Sequence, residues 1–363
     1  MRKLRFNPSL APTIAEIDPE KRFEYVKKKF GMYSGKEIQQ LAHNKPNGNQ
    51  LVEGLLAPAS VNILVGDSGI GKSPLAYQLG LAVSTGVPFL GMKVTQGKVV
   101  YMDYENHDDD IAWMTAQQTK HLQVTVAPFV FMVWNLAKRP EERHVNELVR
   151  MLSPELVIID SLRVYCPEME TDSVRAVEAI RKLRDIANVN NTCFLLVHHL
   201  RKHQLHGAAA SLEEGHALDW LRRAAGVRAL VNQTDVRLGL ARRANSKPRE
   251  EGSDEMVLSG HYRTRGEVGP LLIRRVFDDD GEPCGYERFV PYAEMLESPE
   301  HVAVFKQLGA TFSFKDARLA LGRAPAATNL FIQKLIRLGL ARKTGRGTYQ
   351  RSVFSAIERA VWS

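Results

Sequence analysis

From about Leu51 to Val290 the chain alternates between short, continuous apolar runs and longer segments with an apolar residue every three or four positions. The runs read as strands buried on both faces, and the longer segments as amphipathic helices. Ser60–Val65, Lys98–Met102, Pro128–Val133, Leu156–Ile159 and Cys193–Val197 are the predicted strands. Pro74–Ser84 is a predicted helix, with its proline in the first turn where no N–H bond is lost. Ser173–Asn188 is another, apolar at Val177, Ile180, Leu183 and Ile186, with Asp172 or Ser173 as its cap. Val227–Val231, Val236–Ala241 and Leu271–Val276 are further strand candidates that extend the sheet, some of them antiparallel. Strand–helix alternation of this kind predicts an α/β domain on a mostly parallel central sheet.

The pattern changes at both ends. Residues 1–50 are polar and proline-bearing, with short helices at Pro19–Gly31 and Gly35–Ala42 and a turn or linker at KPNGNQ. Residues 51–295 form the α/β domain, and residues 296–363 form a third segment. There, helical patterns at His301–Leu308, Phe314–Leu321 and Ala326–Leu338 precede two strand-like pieces around Gly345-Arg346-Gly347. Three helices and a basic hairpin describe a small winged helix-turn-helix domain. On Ala326–Leu338, Leu330, Phe331, Leu335 and Leu338 are expected to face the core. Thr328, Asn329, Gln333, Lys334 and Arg337 then face outward, as a recognition helix presents itself to a major groove. The hairpin brings Arg342, Lys343, Arg346 and Arg351 toward phosphates.

Charge supports this placement. The net charge is +8, and between His301 and Ser352 ten cations face the single acid Asp316. The basicity therefore belongs to the last segment, and such asymmetry points to a polyanionic partner, most simply DNA. Hydrophobic residues at 44% and charged residues at 25% are ordinary for a globular protein. No apolar run approaches a membrane span, and the basic N-terminus lacks the apolar stretch of a signal peptide, so the expected location is the cytoplasm, with no membrane partner. Cys166, Cys193 and Cys284 have neither metal-ligand nor disulfide spacing, and Cys193 is expected as a buried thiol.

The densest chemical signal is SVNILVGDSGIGKSPLAYQLGLAV, where a strand runs into Gly66-Asp67-Ser68-Gly69-Ile70-Gly71-Lys72-Ser73 and a helix leaves it. This is a P-loop in its required strand–loop–helix setting. Its backbone N–H groups and helix N-terminus cradle phosphates, Lys72 neutralises the β- and γ-phosphate oxygens, and Ser73 ligates Mg²⁺. ATP and Mg²⁺ are the implied ligands. Hydrolysis needs more groups, and each has a candidate at the C-terminal end of a strand, where open α/β sheets bind ligands. Asp160 ends LVIID as a second Mg²⁺ anchor. Glu105, near the end of KVVYMDYEN, is the group that activates water, with Asp103 as its rival. His198 and His199 follow CFLLV as sensors of the γ-phosphate.

These motifs, with EGLLAPASVNILVGDSGIGKSPLAYQLGLAVSTGVPFLG, GKVVYMDYEN, LVIIDSL and FLLVHH-x-x-K in order, resemble the RepA-type branch of the RecA/DnaB/KaiC ATPases over roughly Leu51–Lys247. The type member is a ring-shaped hexameric helicase of plasmid replication. The resemblance implies a RecA-like core that assembles with itself, as a hexameric ring, and holds ATP–Mg²⁺ at subunit interfaces. It puts Lys72, Ser73, Glu105, Asp160 and His199 in the roles above. It also implies an arginine finger donated in trans from a strand after the histidine motif: Arg228, with Arg223 as second choice, and Arg243 as a later basic residue. Loops after Asp160 and His199 would grip DNA in the channel. Two features depart from the family: HGAAASLEEGHALDW replaces its glycine–serine motif, and the basic C-terminal segment lies outside its minimal ring.

Overall fold

The computed structural model describes residues 33–44, 50–127, 129–135, 142–170, 172–199, 212–214, 217–224, 228–243, 255–264 and 266–352, together with Lys21, Glu24, Tyr25, Lys27 and Lys29. The chain divides into two compact units, Met1–Asn49 and Gln50–Ser363. In the first, helix α1 (Gly35–Asn44) begins with a reciprocal cap: Ser34 Oγ accepts from Glu37 N at 3.2 Å, and the Glu37 carboxylate accepts from Ser34 N at 2.8 Å. The expected helix at Pro19–Gly31 lies largely outside the described residues, as does the turn at KPNGNQ.

The second unit is built on a sheet of nine strands among the described residues, in the order β3-β2-β4-β5-β1-β6-β7-β8-β9. Six strands are parallel: β1 (Val61–Gly66), β2 (Val99–Asp103), β3 (Phe131–Asn135), β4 (Leu156–Asp160), β5 (Cys193–His199) and β6 (Val236–Arg242). β7 (Glu255–Tyr262), β8 (Gly266–Phe277) and β9 (Pro283–Arg288) extend it antiparallel. The crossovers carry α2 (Lys72–Thr85), α3 (Asp108–Leu122), α4 (Glu142–Leu152), α5 (Leu162–Tyr165), α6 (Ser173–Asn190), α7 (Ala217–Ala224) and α8 (Arg228–Gln233). Helices cover both faces, so strands β1, β2 and β4 are buried at every position, which explains their unbroken apolar runs. Side chains alternate within each strand. Ile63 and Val65 join Ile180 and Leu183 of α6 on one face, while Leu64 joins Leu75 and Leu79 of α2 on the other. Asp172 caps α6, accepting from Val174 N at 2.8 Å and Arg175 N at 3.2 Å. Cys193 is buried as expected, and burial pushes its thiol up to about 12.

One predicted strand is corrected. The apolar residues of Val227–Val231 suggest a strand, but Arg228–Gln233 is helix α8, which buries Leu230 in the α6 face of the core. An apolar run this short satisfies either periodicity, and here the neighbouring helix decides it. Strands β7 and β9 carry glycine and polar residues inside short runs, so the sequence pattern does not mark them.

The chain then forms α9 (Tyr292–Leu296), α10 (Pro299–Gln307), β10 (Thr311–Ser313), α11 (Phe314–Leu321), α12 (Pro325–Arg337), β11 (Ala341–Gly345) and β12 (Thr348–Arg351). The three strands pair antiparallel in the order β10-β12-β11. Phe305, Phe312, Phe331, Leu335 and Tyr349 centre a separate small core. Helix α12 is rotated relative to the expectation. It buries Thr328, Phe331, Ile332 and Leu335, an i, i+3, i+4, i+7 stripe, while Leu330 is 71% exposed. Thr328 makes the inward turn because its hydroxyl donates to Ala324 O at 3.2 Å, leaving its methyl group to the core. Arg351 is also corrected: it is buried, with its guanidinium 4.2 Å from the Phe305 ring centroid and bonded to Leu308 O, so it holds the core rather than meeting phosphates.

Arg243, just past β6, ties this region to the large sheet. Its guanidinium donates to Glu213 at 2.8 Å, to Glu255 at 3.0 Å, and to both oxygens of Glu294 on α9 at 2.9 and 2.6 Å. The side chain is almost wholly buried, although its three acidic partners are partly exposed. Arg243→Ala would leave these carboxylates facing one another. The expected loss is about 3 kcal/mol in denaturant unfolding, the lower end of the range for breaking a buried pair. A loss below about 0.5 kcal/mol would remove the structural role given to this residue.

Candidate functional site

The parallel strands deliver their C-terminal ends to one side of the sheet. Register fixes who meets whom: Asp103 lies beside Asp160, Asp160 beside Val197, and Gly66 beside His199. Because β5 sits between β1 and β4, the P-loop and the Asp160 strand are held one strand apart. A cleft of about 340 Å³ opens there, between the P-loop, Glu105, His199, α3 and the β8–β9 hairpin.

Ser68, Gly69, Gly71, Lys72 and Ser73 of the P-loop line this cleft. Gly66 must be glycine, since a Cβ would come within 2.7 Å of Leu240 O on β6. Gly71 caps α2 with φ +102°, and its carbonyl accepts from the Tyr286 hydroxyl at 3.0 Å. Asp67, Ser68 and Gly69 are exposed at the loop tip, Ile70 anchors it in the core, and Ser73 lies in the first turn of α2. Lys72 is buried. Its ammonium donates to Gly66 O at 2.9 Å and Asp67 O at 2.7 Å, and lies 3.2 Å from His199 Nδ1. Burial lowers its pKa, opposed by the carboxylates of Asp160, Glu105 and Asp67.

Asp103 and Asp160 are both fully buried, and each is gripped by a tyrosine. Tyr77 donates to Asp103 Oδ2 at 2.8 Å and Tyr101 donates to Asp160 Oδ2 at 2.6 Å, with the two rings stacked at 3.9 Å. Asp103 spends its remaining capacity on the next turn. Oδ1 accepts from Glu105 N at 3.0 Å and Asn106 N at 2.9 Å, and Oδ2 from the Asn106 side chain at 2.9 Å. The rivalry between Asp103 and Glu105 resolves into two jobs: Asp103 fastens the turn, and Glu105 projects from it into the cleft. Asp160 Oδ1 is buried and has no hydrogen-bond partner among the described residues. A buried orphan acceptor of this kind, close to Ser73 and Glu105 of the cleft lining, suits a cation. The pair Ser73 and Asp160 therefore fits Mg²⁺ carried in with a nucleotide. Burial pushes the Asp160 carboxyl up to about 6, against the hydroxyls of Tyr101 and Ser73.

Glu105 accepts from the Ser161 hydroxyl and from His199 Nε2, which lies 3.2 Å from both carboxylate oxygens. The Lys72 ammonium has only hydrogens to offer, so His199 Nδ1 accepts and Nε2 carries the proton aimed at Glu105. The hydrogen bond from His199 holds the Glu105 pKa below its usual value, against a partial burial that raises it. Of the two histidines, His199 lines the cleft, while His198 is buried in the sheet.

Several residues at this site gave no signal in the sequence. Tyr77, Tyr101 and Ser161 sit inside runs that read simply as helix, strand and loop. Arg275 on β8 and Tyr286 on β9 arrive more than 200 positions after the P-loop. Gln78 of α2 is bonded to the Tyr286 backbone in both directions, Nε2 to O at 2.8 Å and N to Oε1 at 2.7 Å, so it acts as a strand partner for β9. This clamps the hairpin over the P-loop.

Other predicted positions fall elsewhere. Arg228 is the first residue of helix α8 rather than a strand residue, Arg223 lies in α7, and both side chains are outside the described residues. Arg243 is enclosed by its own chain's carboxylates. The loop at 200–211 lies outside the described residues. In the C-terminal region Asn329, Gln333, Arg337, Arg342, Lys343 and Arg346 are exposed. Lys334 is corrected: its ammonium donates to Leu296 O at 2.8 Å and lies 3.6 Å from Glu297, which holds α12 to the end of α9.

A family model described as an AAA domain matches residues 31–204. The DNA repair protein RadA of Listeria monocytogenes is similar at 27% identity over 164 residues, covering 44% of this chain and 32% of that protein, so the chain spans about a third of the length of this curated relative. A crystal structure of the RadB recombinase aligns with a TM-score of 0.42 at 18% identity, covering 64% of this chain and 92% of that one. The AAA-domain match, the P-loop and the mostly parallel sheet agree on a P-loop nucleotide-binding domain of the α/β class. Among the described residues no helix is long and apolar enough to cross a membrane.

The raised pKa of Asp160 has a stability consequence. Its folded value is about 6 against 3.8 for the free side chain, so the fold prefers the protonated form. The destabilisation is absent below about pH 4, grows between about 4 and 6, and is complete above 6. In protein free of nucleotide and Mg²⁺, Asp160→Asn should therefore be more stable than the native chain at pH 7.5, by about 2–3 kcal/mol. The gain should vanish as the pH falls through 6 toward 4. Equal destabilisation by the variant across that range would contradict it.

Proposed function

We propose that this chain is a cytoplasmic, ATP-hydrolysing DNA motor of the RepA type, working as an oligomeric replicative helicase. The observation that carries the hydrolytic part is the meeting of Lys72, Glu105 and His199, from just after β1, just after β2 and the end of β5, in one cleft, with Asp160 at the end of β4 buried close to Lys72 and Glu105. Backbone N–H groups of the P-loop and the positive end of α2 receive the β- and γ-phosphates. Lys72 is already surrounded by carbonyls and His199, so it exchanges these for phosphate oxygens. Bound Mg²⁺, held by Ser73 and Asp160, would supply charge neutralisation on those phosphates. Glu105, held ionised by His199, accepts the proton of the attacking water. His199 touches both Lys72 and Glu105, which suits it to report on the γ-phosphate. The transition-state charge calls for an arginine from a neighbouring subunit in a ring, with Arg228 or Arg223 as donor.

The DNA assignment draws on the basic face of residues 296–352, read as a winged helix. Asn329, Gln333 and Arg337 on α12 are its groove-facing side chains, and Arg342, Lys343 and Arg346 on the hairpin its phosphate contacts. The similar RadA is named a DNA repair protein, which agrees with a DNA substrate. A second reading, an ATP-gated DNA-binding regulator or loader without unwinding, is favoured by the cis enclosure of Arg243.

Two measurements discriminate. ATP turnover should be stimulated by single-stranded DNA, with displacement of a forked strand that Lys72→Ala abolishes. Tight duplex binding with slow, unstimulated turnover would instead support the regulator. For the basic face, replacing Arg337, Arg342, Lys343 and Arg346 by alanine should flatten the log–log salt dependence of DNA binding by about 3–4 units. An unchanged slope would take this face out of DNA recognition.

A further inference from the structure

The cleft does not end at the P-loop. Beyond Ser73 and Pro74 it continues along the first turn of α2 to Trp113, Met114 and Gln118 on α3, with Pro283 and Tyr286 of β9 opposite. A nucleotide whose terminal phosphates met Lys72 would have this extension open to its ribose and base. The walls are flat or apolar: the indole of Trp113, the thioether of Met114, a proline ring and a phenol. Gln118 is the exception. It is 3% exposed, and its Nε2 donates to Pro74 O at 2.7 Å. That bond settles which end of the amide is which, because only the nitrogen can donate to a carbonyl. The other end, Oε1, is left buried with no hydrogen-bond partner among the described residues. A buried acceptor without a donor is costly, and its orientation is locked, so it cannot turn to find one.

We propose that Gln118 is the base-selecting residue of this site, with Oε1 accepting from the exocyclic amino group of adenine. The inference rests on the reading of the cleft as an ATP site and adds its specificity. A 6-amino purine supplies the missing donor. A 6-oxo purine sets its own acceptor, O6, against Oε1, and neither group has a proton to share. The amide cannot flip to meet O6 without surrendering its bond to Pro74. Discrimination between adenine and 6-oxo purines therefore comes from a single locked oxygen.

The test is competitive binding of ATP, ITP and purine riboside triphosphate, which carry NH₂, O and H at the same ring position, against a fluorescent ADP analogue. The native protein should bind ITP at least about tenfold more weakly than ATP, with purine riboside triphosphate between them. This series needs no variant, so a folding defect cannot obscure it. Gln118→Met, which keeps the volume and removes the acceptor, should bring ATP and ITP to within about threefold of each other while inorganic tripolyphosphate binds as before. Equal affinity of the native protein for ATP and ITP would overturn the proposal, as would an undiminished ATP preference in Gln118→Met. If the native protein bound tripolyphosphate and no nucleoside triphosphate, the nucleotide reading itself would fail. That outcome is distinct from nucleotide binding without discrimination, which removes only the role of Gln118.

Discussion

Two carboxylates that water cannot reach sit side by side at the ends of β2 and β4, and much of the site is arranged around keeping them there. Asp103 and Asp160 are register neighbours, and two buried acids at this spacing would drive the strands apart or take up protons unless their oxygens were occupied. The stacked tyrosines Tyr77 and Tyr101 meet part of that demand, each donating to one acid. Asp103 then has all its capacity consumed by Tyr77 and the Glu105–Asn106 turn. Asp160 has one oxygen to spare, and its carboxyl stays up at about 6. The asymmetry separates two chemically identical residues into a fastener and a candidate cation anchor.

The second dependence is long-range. The antiparallel extension β7–β9 turns back so that Tyr286 and Arg275 lie over Gly71 and Ile70, and Gln78 bonds the backbone of β9 as a neighbouring strand would. A glycine at position 71 is demanded twice, by its φ of +102° and by the Tyr286 hydroxyl that a Cβ would strike at 2.1 Å. The same hairpin packs Gly285 against His121 of α3, so the helix after Glu105 and the helix after the P-loop share one cover. Closure of the cleft is thus a property of the sheet edge.

The parallel core was legible because its strands are buried on both faces and because its chemistry sits at strand ends. Gly66–Ser73, Glu105, Asp160 and His199 are all found among the residues just after an apolar run; Lys72, Ser73, Glu105 and His199 line one cleft, and Asp160 is buried near them. The illegible part depends on contacts far apart in sequence. Tyr101 looks like any strand residue until Asp160 is beside it, and Tyr286 has no local mark of its distance to Gly71. In α12 the apolar count was right but the phase was not, because Thr328 turns its methyl inward and Leu330 is left outside. Charge alone also misplaced Lys334 and Arg351: both cations serve the small core's own carbonyls and rings rather than the surface.

The central claim is that Glu105 activates water in a site that holds ATP without it. The direct measurement is ATP binding and single-turnover hydrolysis by Glu105→Gln beside the native protein, in Mg²⁺. The amide keeps an acceptor for Ser161 and removes the base. The account predicts ATP affinity within a few-fold of native and hydrolysis slowed at least about a hundredfold, the scale expected of a general base. Hydrolysis by Glu105→Gln within about twofold of native, or a native protein that binds ATP and never cleaves it, would contradict it.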